Sequence, residues 1–270
     1  MHSSHHLGLV GVVMISLALP TTARAAGDAA AGKGKSLACQ ACHVSPAGAD
    51  GAPHLAGQRQ AYIAKQLKAF KTGDRKDPLM NAMAAQLSDA DIDNLAAFWS
   101  SQPSGSDTTA SSAVAAIKKS HMGFPKSFPV GFTLYLTSND AKENVVSKTY
   151  VNAVGLRAAK ASKPLPDGSM IIVVKSSARL GADKKPVAEK DGSWATDKIV
   201  GYAGMEAHAG WGKDIPELLR NANWNYAVFS AEKAPRAEVS QTICLACHKP
   251  KAGESYLFSL KELKEKARAK

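Results

Sequence analysis

Two short motifs constrain this chain more than any other feature of its sequence. The four cysteines of the 270-residue chain form two Cys-x-x-Cys pairs, and a histidine follows each pair directly. The residues are Cys39, Cys42 and His43 in one motif and Cys244, Cys247 and His248 in the other. Two thiols on one helical turn can bond to the two vinyl groups of a haem, and the histidine can ligate the iron. The sequence therefore predicts two covalently bound haem c groups, against the alternatives of disulfides, a redox dithiol or a zinc knuckle.

The N-terminus has the features of an export signal. Residues 7–19 form an apolar run too short to span a bilayer comfortably, and residues 23–25 (Ala-Arg-Ala) have the small-x-small pattern of a cleavage site. We expect residues 1–25 to be a cleaved signal peptide and the mature protein to be periplasmic. The segment before the apolar run has histidines but no lysine or arginine, so an uncleaved anchor is the alternative.

A polar, small-residue stretch, SQPSGSDTTASS at 101–112, separates two differently patterned regions. We therefore expect a first domain at 26–102, a linker at 103–112 and a second domain at 113–270. Helical patterns at 28–41 and 62–71, and a capping box at 88–91 that opens a further helix, make the first domain all-α.

The second domain is predicted to be α+β with an antiparallel sheet. Residues rich in β-branched and aromatic side chains predict strands at 132–136, 170–174, 199–202 and 224–229. Helices are predicted at 216–220, 244–248 and 260–268.

Basic residues are concentrated in the second half of the chain. Residues 26–104 contain 8 Lys/Arg and 7 Asp/Glu, whereas residues 105–270 contain 25 and 16. A basic surface can attract acidic proteins, nucleic acid or anionic substrates, and export argues against nucleic acid. A solvated lysine-rich surface is the alternative interpretation.

The two motifs differ in the sixth iron ligand that the sequence offers. Met80 and Met83 follow the first motif, after Pro78, which disfavours helix and leaves a loop that can lie against a haem face. Met80 is the predicted ligand and Met83 is predicted to pack in the core; the reverse assignment is the alternative.

No methionine, histidine or cysteine follows the second motif. A sixth ligand would have to lie upstream, and the candidates are His121, Met122, Met170, Met205, His208 or a lysine. We expect instead a five-coordinate iron with an open face at His248.

Residues 26–102 resemble a small bacterial class I cytochrome c. The matching stretches are AGDAAAGKGKSLACQACH (26–43), PHLAGQ (53–58), YIAKQLKAFKTGDRK (62–76) and LSDADIDNLAAFWSSQ (87–102). The resemblance implies Met80 as axial ligand and a hydrogen bond from His43 to Pro53. It also implies that the first helix packs near Gly32 against Phe98 and Trp99.

Residues from about 113 to 262 resemble the cytochrome P-460 family. The matching pieces are FPKSF (124–128), the segment 150–175 with its Pro-Asp-Gly turn, GMEAH (204–208), NWNYAVF (223–229), CLACHKPKAG (244–253) and Phe258. One type in this family has a lysine cross-linked to the haem and oxidises hydroxylamine. The other type, cytochrome c′-beta, lacks the cross-link and binds nitric oxide or carbon monoxide. Members of the cytochrome P-460 family often form homodimers through the sheet domain, so we expect a homodimer here.

The resemblance also suggests catalytic residues. Lys160, or alternatively Lys163, would be the cross-linking lysine before the Pro-Asp-Gly turn. Glu206 would accept protons from hydroxylamine if it faces the haem, and His208 would share its face of the strand. The favoured hypothesis is that the open haem oxidises hydroxylamine or a related nitrogen species and passes electrons through the Met80 haem to a redox partner protein. A gas-binding protein or a plain electron carrier is the rival.

The attachment sites can be tested by intact mass. The mature protein should exceed the mass of the processed chain by two haem groups. Cys244→Ala should weaken or abolish attachment at the second motif only, because one thioether is lost there. A wild-type protein carrying one haem or two disulfides would contradict the prediction.

Overall fold

The structure is a computed structural model that describes residues 27–43, 52–104, 117 and 119–269. The predicted signal peptide and residues 105–112 of the predicted linker lie outside the described residues. Among the helices that are described, none has the length and apolar character needed to cross a membrane.

The first domain consists of helices, as predicted. They are α1 (Ala29–His43), α2 (Gln60–Thr72), α3 (Pro78–Ala84) and α4 (Asp89–Ser101). The predicted capping box at the start of α4 is confirmed: Ser88 Oγ accepts from the Asp91 amide at 3.1 Å, and the Asp91 carboxylate accepts from the Ser88 amide at 3.0 Å. These two bonds satisfy amide groups that the first turn of a helix leaves unpaired.

Helices α1 and α4 cross at Gly32, as the cytochrome c resemblance implies. A Cβ atom at Gly32 would overlap the backbone of Asn94 and lie 2.9 Å from Phe98 Cβ. Trp99 is almost fully buried beside Phe98, with their ring centroids 5.3 Å apart. The absence of a side chain at residue 32 therefore lets the two helices approach closely enough to enclose these rings.

The expectation of a loop after Pro78 is wrong. Pro78 is the first residue of α3, a position where no backbone N–H is needed for the helix. Asp77 caps this helix by accepting from the Met80 amide at 2.8 Å. The side-chain amide of Asn81 donates to the carbonyls of Phe70 and Arg75 at 2.6 and 2.8 Å, so α3 is fastened to the end of α2.

The second domain contains a five-stranded antiparallel sheet in the order β1-β2-β3-β4-β5. Its strands are β1 (Phe132–Asp140), β2 (Val145–Asn152), β3 (Met170–Ala178), β4 (Thr196–Ala207) and β5 (Trp224–Phe229). Its helices are α5 (Ala153–Lys160), α6 (Gln241–His248) and α7 (Leu260–Arg268), with a 3₁₀ helix at Lys249–Glu254.

The sequence analysis identified α6 and α7 but missed β2 and mistook one turn for a helix. In β2 only Val146, Thr149 and Val151 are buried, so no continuous apolar run marks the strand. At 216–220 the amides of Leu219 and Arg220 both donate to the Pro216 carbonyl at 2.9 Å, and the chain then leaves the turn.

The sheet has two different faces. The helix face carries α5, α6 and α7 over a buried row formed by Val151, Ile171, Met205 and Tyr226, which are paired across the strands. The aromatic face packs Ile172, Val174, Tyr202 and Phe229 against Met122, Phe124 and Phe128. Because neighbouring residues of a strand point to opposite faces, strand register decides which side chains reach the haem-motif helix α6.

Two glycines of α1 provide a matched test of the helix crossing. Gly32→Ala should lower the free energy of unfolding by ~1–3 kcal/mol, because the added methyl group overpacks the contact with α4. Gly34→Ala, where a Cβ atom would meet no atom within 4 Å, should be neutral or stabilising by up to about 1 kcal/mol. Guanidinium unfolding of the holoprotein, followed by circular dichroism, measures both. Equal effects would show that the crossing is not close-packed.

Candidate haem centres

The first motif lies at the C-terminal end of α1. His43 is 7% exposed, and its Nδ1 is 2.6 Å from the carbonyl oxygen of Pro53. A carbonyl can only accept, so Nδ1 carries the proton and Nε2 is left to bind iron. Burial lowers the pKa of His43, which favours the neutral ligating form. The predicted hydrogen bond to Pro53 is confirmed.

The surroundings of Cys39 fit a covalently bound haem. Its apolar environment raises the pKa of the thiol to about 12. Trp99 lies beside this thiol, and its buried indole N–H meets the Cys39 sulfur, a weak acceptor, but no oxygen or nitrogen acceptor among the residues that the structure describes. A buried donor without a partner is unfavourable, and a haem propionate is an acceptor that would satisfy it.

The second motif repeats the same histidine geometry on an unrelated scaffold. His248 ends α6, and its Nδ1 is 2.6 Å from the carbonyl oxygen of Tyr256. The imidazole packs between the rings of Tyr226 and Phe258, with centroid distances of 4.7 and 4.9 Å. Burial lowers the pKa of His248, which favours the neutral form of this ring. Phe258 is 53% exposed, and a flat apolar group bound beside the histidine would cover it.

Asn221 supports this site, and the sequence analysis missed it. It is fully buried, and its side-chain amide donates to Tyr226 Oη at 3.0 Å and to the Leu245 carbonyl at 2.9 Å. These bonds fix the Tyr226 ring against His248. Nothing in the sequence pattern distinguishes this asparagine from the other polar residues of its segment.

The two methionines of α3 occupy different environments. Met83 is buried in the hydrophobic core, as predicted. Met80 is only partly buried and belongs to none of the hydrophobic clusters that the described residues form. Of the two thioethers, the Met80 thioether is therefore the one that does not pack in the core.

Most upstream candidates for a sixth ligand at the second motif lie on the wrong side of the sheet. Met122 and Met170 pack in the aromatic-face cluster, and His121 and His208 stack on Trp211, which borders the same cluster. Met205 lies on the helix face but is buried in the core with Leu245. The sheet thus separates four of these side chains from His248.

The structure places Glu206 on the opposite side of the sheet from His248. Glu206 pairs with Met170 and Asn225 and so lies on the aromatic face, next to His208. Burial raises the pKa of its carboxyl group. The condition for its catalytic role was that it faces the haem, and that condition is not met because the sheet lies between Glu206 and α6.

Lys160 is not placed beside the motif either. Lys160 and Lys163 are exposed at the C-terminal end of α5, which packs against α7 and strands β1 to β3. Burial raises the pKa of Cys244, and the lysine whose charge opposes this shift is Lys175 of β3. Lys160 is the last residue of α5, and Lys163 follows the turn after it.

Comparison with known proteins now identifies both domains. A family model for cytochrome P460 matches residues 125–259, which is half of the chain. This chain belongs to the cytochrome P460 family. A second model, described as cytochrome c oxidase, cbb3-type, subunit III, matches residues 25–98, so the region before the P460 domain is a cytochrome c domain.

The relatives of the cytochrome c domain are bacterial electron-transfer proteins. Cytochrome c4 of Pseudomonas aeruginosa is 42% identical over 96 residues, which are 33% of this chain and 46% of that protein. Cytochrome c-554(548) of Halomonas halodenitrificans is 45% identical over 86 residues, 28% of this chain and 99% of that protein. A solved cytochrome c4 structure from Acidithiobacillus ferrooxidans is 37% identical and covers 29% of this chain and 52% of that chain, with a TM-score of 0.25. The chain spans about half the length of the cytochrome c4 relatives that it matches.

Membership of these families gives the P460 protein covalent haem binding and a part in electron transfer. Cytochrome c4 and similar c-type cytochromes are typically periplasmic, which agrees with the expectation from the N-terminus.

The neighbouring methionines of α3 allow a test of ligation. Met80→Ala should convert one haem to high spin and lower its midpoint potential, because a thioether ligand favours ferrous iron. Met83→Ala should keep the low-spin spectrum while lowering the free energy of unfolding by about 2 kcal/mol or more, since it leaves a cavity in the core. Visible spectra and redox titration of both variants decide between them, and exchanged behaviours would reverse the assignment.

Proposed function

We propose that this protein carries two haem groups and that the P460 domain binds a small uncharged ligand, nitric oxide or carbon monoxide, at an open iron. His43 and Met80 would ligate the iron of the cytochrome c domain, and His248 would ligate the iron of the P460 domain. The first iron would exchange electrons with the second and with an external redox protein in the periplasm.

One observation carries this proposal: among the described residues, the strand row that follows Tyr226 on the helix face of the sheet contains no carboxylate. Beyond Tyr226 the next row of that face consists of Thr149, Val173, Ala203 and Val228, paired across four strands. Val173, Ala203 and Val228 are only partly buried. An apolar surface of this kind suits a small neutral molecule rather than an anion.

A haem held by His248 would supply an iron that can bind a ligand, and the protein determines its surroundings. Tyr256 holds His248 in the tautomer that ligates through Nε2, and Tyr226 and Phe258 restrict the rotation of its ring. Lys175 adds one positive charge near Cys244 at the next row of the sheet face. These groups orient and tune the site, but none of them is a base that could take protons from hydroxylamine at the pH of the periplasm.

The external partner is proposed to be an acidic redox protein. The excess of basic residues after residue 105 favours association with a negatively charged surface. The cytochrome c domain, which is nearly neutral, would be the point at which electrons enter or leave.

Ligand binding and hydroxylamine oxidation can be separated by experiment. Carbon monoxide and nitric oxide should bind one haem per chain, with the reduced spectrum showing no strongly red-shifted band of a cross-linked haem. Glu206→Gln and Lys160→Ala should leave ligand affinity and spectrum unchanged, because neither residue lies at His248. Addition of hydroxylamine should not reduce the protein. Catalytic reduction by hydroxylamine that Glu206→Gln abolishes would instead establish the oxidase, and two unreactive six-coordinate haems would refute the open site.

A further inference from the structure

The segment that joins β4 to β5 contains a piece that touches both domains. We call residues 215–221 the bridge segment. Ile215 and Leu219 are buried in the core of the P460 domain, each less than 5% exposed. Leu218, between them, is partly buried and also packs against the cluster that Leu87, Ile92 and Leu95 form in the cytochrome c domain. One short turn therefore inserts a leucine into the other domain while its neighbours anchor it to its own.

The bridge segment is fastened to the haem-motif helix by side-chain hydrogen bonds. Lys249, which directly follows His248, donates through Nζ to the carbonyls of Glu217 and Arg220 at 2.7 and 2.6 Å. Asn221, at the end of the segment, donates to the Leu245 carbonyl in the middle of α6. The segment that carries Leu218 is therefore attached to α6 at Leu245 and just after its last residue, at Lys249.

The same junction brings together the helices that carry the proposed iron ligands. Helix α3, with Met80, packs directly on α6, with the second motif. Met83 and Ala38 of the cytochrome c domain share one buried cluster with Leu245 and Ala246 of α6. A cleft of about 520 Å³ runs along the junction between Leu37 and Gln86 on one side and Lys213 and Arg220 on the other.

We propose that the bridge segment holds the cytochrome c domain docked on the haem-motif helix of the P460 domain, so that electrons pass between the two haem sites within one fixed geometry. Leu218 supplies the apolar contact, and Lys249 is the positioning residue that keeps the segment on α6. A flexible tether alone would leave the domains at an effective concentration in the millimolar range and in many orientations. The proposal rests on the occupancy of both motifs by haem, but the docking itself does not depend on the ligand bound at His248.

The inference is tested on the holoprotein with two variants and two matched controls. Leu218→Ser removes the apolar insertion, and Lys249→Met removes the two hydrogen bonds while keeping side-chain length. The controls are Leu180→Ser and Lys190→Met, which change an exposed leucine and an exposed lysine in the region after β3. Loss of one buried leucine contact should weaken docking by about tenfold or more.

Two measurements are made on each protein. Small-angle X-ray scattering should show a larger radius of gyration for both test variants than for the wild-type protein. The radius of gyration of the two controls should equal that of the wild type. In half-reduced protein saturated with carbon monoxide, flash photolysis should release one electron from the His248 site to the oxidised Met80 site. This electron transfer should appear as a fast phase in the absorbance after the flash. The amplitude of the fast phase should fall about tenfold in the test variants, while thioether attachment and carbon monoxide affinity are retained.

Wild-type scattering and an unchanged fast phase in Leu218→Ser and Lys249→Met would overturn the proposal. If the wild-type protein fails to bind carbon monoxide, the proposed function falls, and scattering alone still decides whether the bridge segment docks the domains. If Leu218→Ser loses its circular dichroism, Lys249→Met provides the same comparison, because its change lies at an exposed part of the junction.

Discussion

The geometry of both Cys-x-x-Cys-His motifs depends on one interaction, the hydrogen bond from Nδ1 of the motif histidine to a backbone carbonyl. In the cytochrome c domain the acceptor is Pro53, and in the P460 domain it is Tyr256. Each bond is 2.6 Å long and determines which ring nitrogen carries the proton, so that Nε2 is free to bind iron. A carbonyl acceptor also raises the basicity of the ligating nitrogen. The packing around each motif brings a carbonyl from outside the motif within hydrogen-bond distance of Nδ1.

The two domains reach this geometry with different folds. In the first, the close crossing of α1 and α4 at Gly32 encloses Trp99 beside Cys39, and within the described part of the chain the buried indole N–H has no oxygen or nitrogen acceptor. In the second, Asn221 holds Tyr226 against the imidazole from the other side of α6. The motif therefore fixes only the covalent chemistry, and each fold supplies its own support for the histidine.

The five-stranded sheet then decides what chemistry the second centre can perform. Its helix face offers Thr149, Val173, Ala203 and Val228, whereas the half-buried carboxylate of Glu206 lies on the aromatic face. The single layer of the sheet separates that carboxylate from the helix face, on which His248 lies. This arrangement supports the proposed binding of a small neutral ligand at His248 rather than acid–base catalysis by Glu206.

The sequence by itself determined the features that depend on residues close together in the chain. The spacing of Cys39, Cys42 and His43 and of the second motif is set by one helical turn, and the Ser88 capping box needs only four residues. The charged pattern of α7 was likewise sufficient to place it. Resemblance to cytochrome c supplied the Pro53 bond and the Gly32 crossing, which no local pattern contains.

Only the tertiary structure decided which side chains face the second centre. The shared face of Glu206 and His208 followed from strand alternation, but which face it is depends on register, and β4 has register shifts against β3 at Ser176. A shift of one residue exchanges the two faces of a strand, so no local pattern can assign them. The docking of Leu218 and the contact of α3 with α6 join residues more than a hundred positions apart, and these exist only once both domains have folded.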